Sequence, residues 1–92
     1  MKQERIRRRR FPLWDGRVLT VNYWLLTEER EERLWYGIAV TDSLGHSVRC
    51  SALSQSRWEV KRLIRTLARG CVTTVNAAEV VEDCLWERMA RL

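Results

Sequence analysis

Apolar and polar residues alternate with a period of two through the middle of the chain and with a period near 3.6 after residue 56. Leu19, Val21, Tyr23 and Leu25 alternate with Thr20 and Asn22, which predicts a strand over residues 18–26. The charged run 28–32 reads as a solvated hairpin loop. A second strand is predicted over 34–41, with Leu34, Tyr36, Ile38 and Val40 on one face and Trp35, Gly37 and Ala39 on the other. Asp42-Ser43-Leu44-Gly45 has turn chemistry, Gly45 being free to take positive φ. A third strand over 46–53 would send Val48, Cys50 and Ala52 to the core. Three sequential strands with short loops make an antiparallel meander.

The helical part opens on Ser56-Arg57-Trp58-Glu59, a capping box in which the hydroxyl and the carboxylate satisfy each other's backbone amides. Val60, Leu63, Ile64 and Leu67 follow at helical spacing, and Gly70 offers a C′ stop. Asn76, with Glu79 three residues on, predicts a second N-cap, and Val75 and Val80 occupy the positions of a hydrophobic staple. Val80, Val81, Cys84, Leu85 and Met89 form the apolar stripe of that helix. The expected fold is α+β: a three-stranded antiparallel meander followed by two helices packed on one sheet face, in the order βββαα. One domain spans 13–92, led in by the Asp15-Gly16 turn, and residues 1–12 are expected to be a disordered basic arm.

Two segments carry a resemblance. Tyr36-Gly37-Ile38, and Val75-Asn76-Ala77-Ala78 continuing into Glu79-Val80-Val81-Glu82-Asp83-Cys84-Leu85, resemble a family of small uncharacterised proteins from Clostridia and related Firmicutes, domain-of-unknown-function family 6514. The resemblance covers roughly residues 17–86. Cys84 stands where the family pattern has an aromatic residue, and the Arg5 to Arg10 run lies outside the pattern. The resemblance implies fold and lineage and assigns no residue a role.

Charge changes the picture at the N-terminus. The net charge is +5. Residues 1–10 hold Lys2, Arg5, Arg7, Arg8, Arg9 and Arg10 against Glu4 and account for all of it; residues 11–92 are balanced. Such a segment attracts nucleic acid or another polyanion. Arg8-Arg9-Arg10-Phe11 has the look of a twin-arginine export signal, but Pro12, Asp15, Gly16 and Arg17 stand where an apolar stretch would be needed. No run reaches the ~18 apolar residues of a membrane span. Three cysteines without Cys-x-x-Cys spacing argue against a disulfide scaffold or zinc site and for reduced thiols. A cytoplasmic location is the expectation.

Candidate chemistry is sparse. His46 is the single histidine. Two residue-pairs of strand separate it from Cys50 by ~13 Å, beyond hydrogen-bond reach. The glutamates of 28–32 are surrounded by solvent and arginine, and Glu82-Asp83 diverge on a helix. No catalytic group, metal, cofactor or small-molecule substrate is indicated, and the expectation is a non-enzymatic module. The five tryptophans are the unusual feature. Strand parity puts Trp24, Leu26 and Trp35 on the face opposite the core, with Arg49 and a polar background, as on a binding face. The alternatives are cover from 11–14, or Trp24 shielding Gly37. The expected function is therefore an interaction or regulatory module that takes a protein partner, or a second copy of itself as a homodimer, on that face. The alternative is a nucleic-acid-associated protein that uses Arg5, Arg7, Arg8, Arg9 and Arg10 with Arg57, Lys61 and Arg65 of the first helix.

Overall fold

The computed structural model describes residues 1–90 and the side chains of 1–85. Expectations resting on the side chains of Trp86, Glu87, Arg88 and Met89, and on Arg91, lie outside the described residues. The chain is α+β: strands β1 (Lys2–Pro12), β2 (Val18–Arg30), β3 (Arg33–Asp42) and β4 (Ser47–Ser54), then helices α1 (Arg57–Arg69) and α2 (Ala77–Ala90). The strands form one antiparallel sheet in the order β1-β2-β3-β4. α1 packs across all four strands, and α2 packs on α1 and β4.

The sheet has four strands rather than three, because residues 2–12 form its first strand. The segment expected as a disordered arm is an edge strand paired along its length with β2, from Lys2 opposite Thr27 to Pro12 opposite Val18. Its sequence hides this. Arginines occupy both faces, and Ile6 and Phe11, five residues apart, are the two that reach the core. Their odd spacing is absorbed by a bulge between Arg5 and Arg7 in which Ile6 is the extra residue. An arginine-rich strand ending in proline is a usual occupant of a sheet edge, where charge discourages pairing with other chains.

Val21, Tyr23, Leu25, Ile38 and Val40 of the sheet meet Val60, Ile64, Leu67, Ala68, Val72, Ala77 and Val81 of the helical layer in one core. Leu63, half-buried, packs at its margin. The Tyr23 hydroxyl donates to the carbonyl of Val72, tying the sheet to the interhelical loop. Burial pushes the Tyr23 phenol above its ordinary value; Cys71 adds to the rise and Arg9 opposes it.

Several local expectations change. The run 28–32 is not a loop: β2 continues to Arg30 and reverses at Glu31-Glu32, whose φ values of 51° and 64° make a two-residue turn of the primed kind. Leu34, expected in the core, stands beside that turn and is exposed. In β4, Ala52 takes φ 53°, and the register slips between Cys50 and Ser54. The bulge turns Leu53, not Ala52, toward the core. The same backbone closes on Gly37, where an added Cβ would meet the Cys50 carbonyl and lie 2.8 Å from Ser51 Cα.

Ser56 caps α1, its Oγ accepting from the Glu59 amide at 3.3 Å. Ser54 joins this cap: its Oγ accepts from the Ser56 amide and donates to Glu59 Oε2, both at 3.0 Å. At the other end the left-handed residue is Cys71, φ 57°, and not Gly70, φ −81°. Asn76 Oδ1 accepts from the Thr73 amide at 3.0 Å, so the side chain closes the loop before α2. Val75 is 92% exposed, so the expected staple to Val80 does not form.

Candidate binding face

Directly opposed residues of an antiparallel pair point to the same side of the sheet. Leu19, Val21, Tyr23 and Leu25 face the helices, so Thr20, Asn22, Trp24 and Leu26 face the other way, together with their cross-strand partners. The rows on this open face include Gln3 opposite Leu26 and Leu26 opposite Gly37. Arg5 stands opposite Trp24, Trp24 opposite Ala39, and Ala39 opposite Arg49. Arg8 stands opposite Asn22, Asn22 opposite Thr41, and Thr41 opposite Ser47. Arg10 stands opposite Thr20. The segment expected as an arm and the tryptophan face are therefore one surface.

Trp24 is held in place. Its Nε1 donates to Thr41 Oγ1 at 2.9 Å, two residues along β3 from its partner Ala39. That bond directs the indole across to β3, where Ala39, the cross-strand partner of Trp24, is only 2% exposed although it lies outside the helical core. The Trp24 ring itself is half-buried. Leu26, opposite Gly37, is 1% exposed on the same face. Nearby, Arg49 Nη1 contacts Met1 Sδ at 3.5 Å, a bridge between the two edges of the sheet. Neither alternative cover applies. Trp14 is 98% exposed at the tip of the β1–β2 hairpin, Phe11 packs on the core side, and Leu26 rather than Trp24 lies across from Gly37. Trp35 is half-buried further along β3, opposite Glu28, whose carboxylate pairs with Arg30 at 3.1 Å.

The face is basic. Arg5, Arg8, Arg10 and Arg49 are exposed, and none of them makes an ion pair among the described residues. Asn22 adds a polar cost: its Oδ1 is buried without a hydrogen-bond partner. The remaining cations lie elsewhere. Register places Arg7 and Arg9 on the helix side, opposite Tyr23 and Val21, and Arg9 Nη2 reaches Cys71 Sγ at 3.7 Å. Glu4, on the same side, pairs with Arg57 at 2.9 Å. On α1, Arg62 stacks on the exposed Trp58, 5.4 Å from the ring centroid. No ion pair among the described residues crosses from α1 to Glu79, Glu82 or Asp83. Arg5, Arg8 and Arg10 are thus separated from Arg57, Lys61 and Arg65 by the thickness of the sheet. The bulge at Ile6, invisible in the sequence pattern, decides which arginines go to which side.

A second polar cluster has a structural role. Asp42 accepts at Oδ1 from the amides of Leu44 at 2.9 Å and His46 at 3.0 Å. At Oδ2 it meets Thr74 Oγ1 at 2.8 Å and His46 Nδ1 at 3.2 Å. Burial raises the Asp42 carboxyl, but the hydrogen bonds from Thr74, His46 and Leu44 outweigh it and hold the group below its ordinary 3.8. One carboxylate thus shapes the β3–β4 turn and fastens the interhelical loop to it.

A family model described as a family of unknown function, DUF6514, matches residues 2–87. The chain belongs to that family. The match begins at the second residue, so β1 is part of the family domain, contrary to the narrower extent of 17–86. No curated protein and no solved structure matches the chain. No described helix is long and apolar enough to cross a membrane.

Proposed function

We propose that this member of the DUF6514 family is a nucleic-acid-binding module, not an enzyme, and that it binds through the open face of its sheet. The observation that carries this is the union of β1 with the tryptophan face: Arg5, Arg8, Arg10 and Arg49, none in an ion pair among the described residues, lie on the same side of the sheet as Trp24. Arginines positioned on a phosphate backbone around an aromatic side chain are the components of nucleic-acid contact. A homodimer through this face would set eight arginines against one another, which like-charge repulsion opposes. A protein partner would have to be strongly acidic and would make no use of an anchored aromatic ring among its cation contacts.

Salt dependence tests this. Four arginines on a single strand give a slope of log K against log salt near about −3. Fluorescence-anisotropy titration of the intact chain against a labelled single strand should show that slope. Gln at Arg5, Arg8 and Arg10 together should flatten it to about −1 or less and leave the fold intact, since all three are exposed on the face away from the helices. An unchanged slope in the triple variant would move binding to α1. Absence of binding at low salt would remove the nucleic-acid function and leave an acidic protein as the ligand to seek.

A further inference from the structure

Given that the open face is a nucleic-acid surface, we infer that its ligand is a single strand lying along β1, with one base stacked on Trp24, and not a duplex. One feature of the face carries the choice of a single strand, and a second sets its path. The first is the platform. The Trp24 indole, half-buried and anchored by its bond to Thr41, lies in a row with Arg5 on one side and Ala39 and Arg49 on the other. A fixed aromatic ring between two cations suits a base whose own ring is free, with phosphates to either side. In a duplex the base faces are already stacked, and the phosphates are what such a surface would meet.

The second is spacing. Arg8 and Arg10 are two residues apart on one face, ~6.8 Å along the strand. That matches the separation of successive phosphates along one nucleic-acid strand, so Arg8 and Arg10 set the path of a single backbone along β1, while the choice of a single strand over a duplex rests on the platform. The bulge at Ile6 keeps Arg5 on the same face beyond Arg8. A strand following Arg10, Arg8 and Arg5 passes along the edge of the sheet, and a base turned inward at its Arg5 end arrives over Trp24.

The experiment compares, by anisotropy at one salt concentration, a deoxythymidine oligomer of about ten nucleotides, a duplex of matched length and an abasic oligomer with the same backbone. Stacking of a base on an aromatic side chain predicts about tenfold tighter binding of the thymidine oligomer than of either other ligand. Trp24→Leu should remove that tenfold preference while leaving the salt slope unchanged, and Trp24→Phe should keep part of it. Thermal melts check that both variants are folded. If the leucine variant is not, the comparison of thymidine with abasic oligomer on the native chain still measures stacking. Equal affinity for all three ligands, or a preference for the duplex, overturns the single-strand inference and leaves the polyanion face standing. Failure of every nucleic acid to bind overturns the proposed function itself.

Discussion

Arg5 and Arg8 point to the same side of the sheet although they are three positions apart on β1. Simple alternation would send them to opposite sides. The extra residue Ile6 resets the parity, so that Arg5 faces Trp24 and Arg8 faces Asn22. The bulge thereby divides the arginine run into Arg5, Arg8 and Arg10 on the open face and Arg7 and Arg9 on the helix side.

Because β1 is a strand, its removal should damage the fold. Deleting residues 2–10 takes away the pairing with β2 and the cover that Ile6 gives the core. A fall in melting temperature of more than about 10 °C is expected by circular dichroism, since each kcal/mol is worth roughly 4–8 °C in a domain of this size. An unchanged melting temperature would mean that these residues do not hold the sheet edge.

The end of α1 places its glycine one residue early. The Cys71 amide bonds to the Ala68 carbonyl at 3.3 Å and the Val72 amide to the Leu67 carbonyl at 3.0 Å, which is the pattern of a Schellman cap with Cys71 at the left-handed position. Cys71→Gly should therefore stabilise the chain by about 1 kcal/mol, because a side chain at positive φ is disfavoured there. Urea unfolding measures it, and a loss of stability would show that the contact of Arg9 with Cys71 outweighs the strain.

Asp42 should make stability depend on pH. Its folded-state pKa lies below 3.8. Its contribution is then fully present above the ordinary carboxylate range and is lost as pH falls through the lowered folded value. Asp42→Asn should cost about 2–3 kcal/mol at neutral pH, because amide and hydroxyl donors lose a charged acceptor. The gap between variant and native chain should narrow in urea titrations carried toward pH 3. A gap independent of pH would mean that the charge is not what holds the loop.

Close approach governs Gly37. A Cβ there would lie 2.8 Å from Ser51 Cα and 3.2 Å from the Ala52 amide nitrogen, both backbone atoms that cannot swing aside. Gly37→Ala should cost about 3 kcal/mol. For comparison, Ile64→Ala in the fully buried core should cost about 2–5 kcal/mol, and Leu63→Ala at its margin less. Denaturant midpoints rank the three.

Much of the fold was legible because period-two alternation and capping chemistry are local. β2, β3, β4 and both helices appear near their expected places, and Trp24, Leu26, Trp35 and Arg49 share the face opposite the helices as parity required, but Leu26 is buried and both tryptophans are half-buried, so the expected exposed apolar patch is not there. What was not legible depends on non-local contacts. β1 has too few apolar residues to announce a strand and becomes one by pairing with β2. Ala52 and Leu53 exchange roles because β4 bulges against Gly37. Val75 faces solvent because the interhelical loop is fastened through Thr74 and Asp42 instead. The site was read in two halves, an arm and a tryptophan face, and their union follows only from the register of β1 on β2.

The most direct measurement is a two-dimensional amide NMR titration of the chain with the thymidine oligomer. The Trp24 indole proton, which is held by Thr41, reports on the platform, and the backbone amides of Arg5, Arg8, Arg10 and Arg49 report on its rim. These signals should shift together and saturate at one concentration, while those of Arg57, Lys61, Arg62 and Arg65 on α1 stay in place. Shifts confined to α1, with the Trp24 indole unmoved, would contradict a nucleic-acid face on the open side of the sheet.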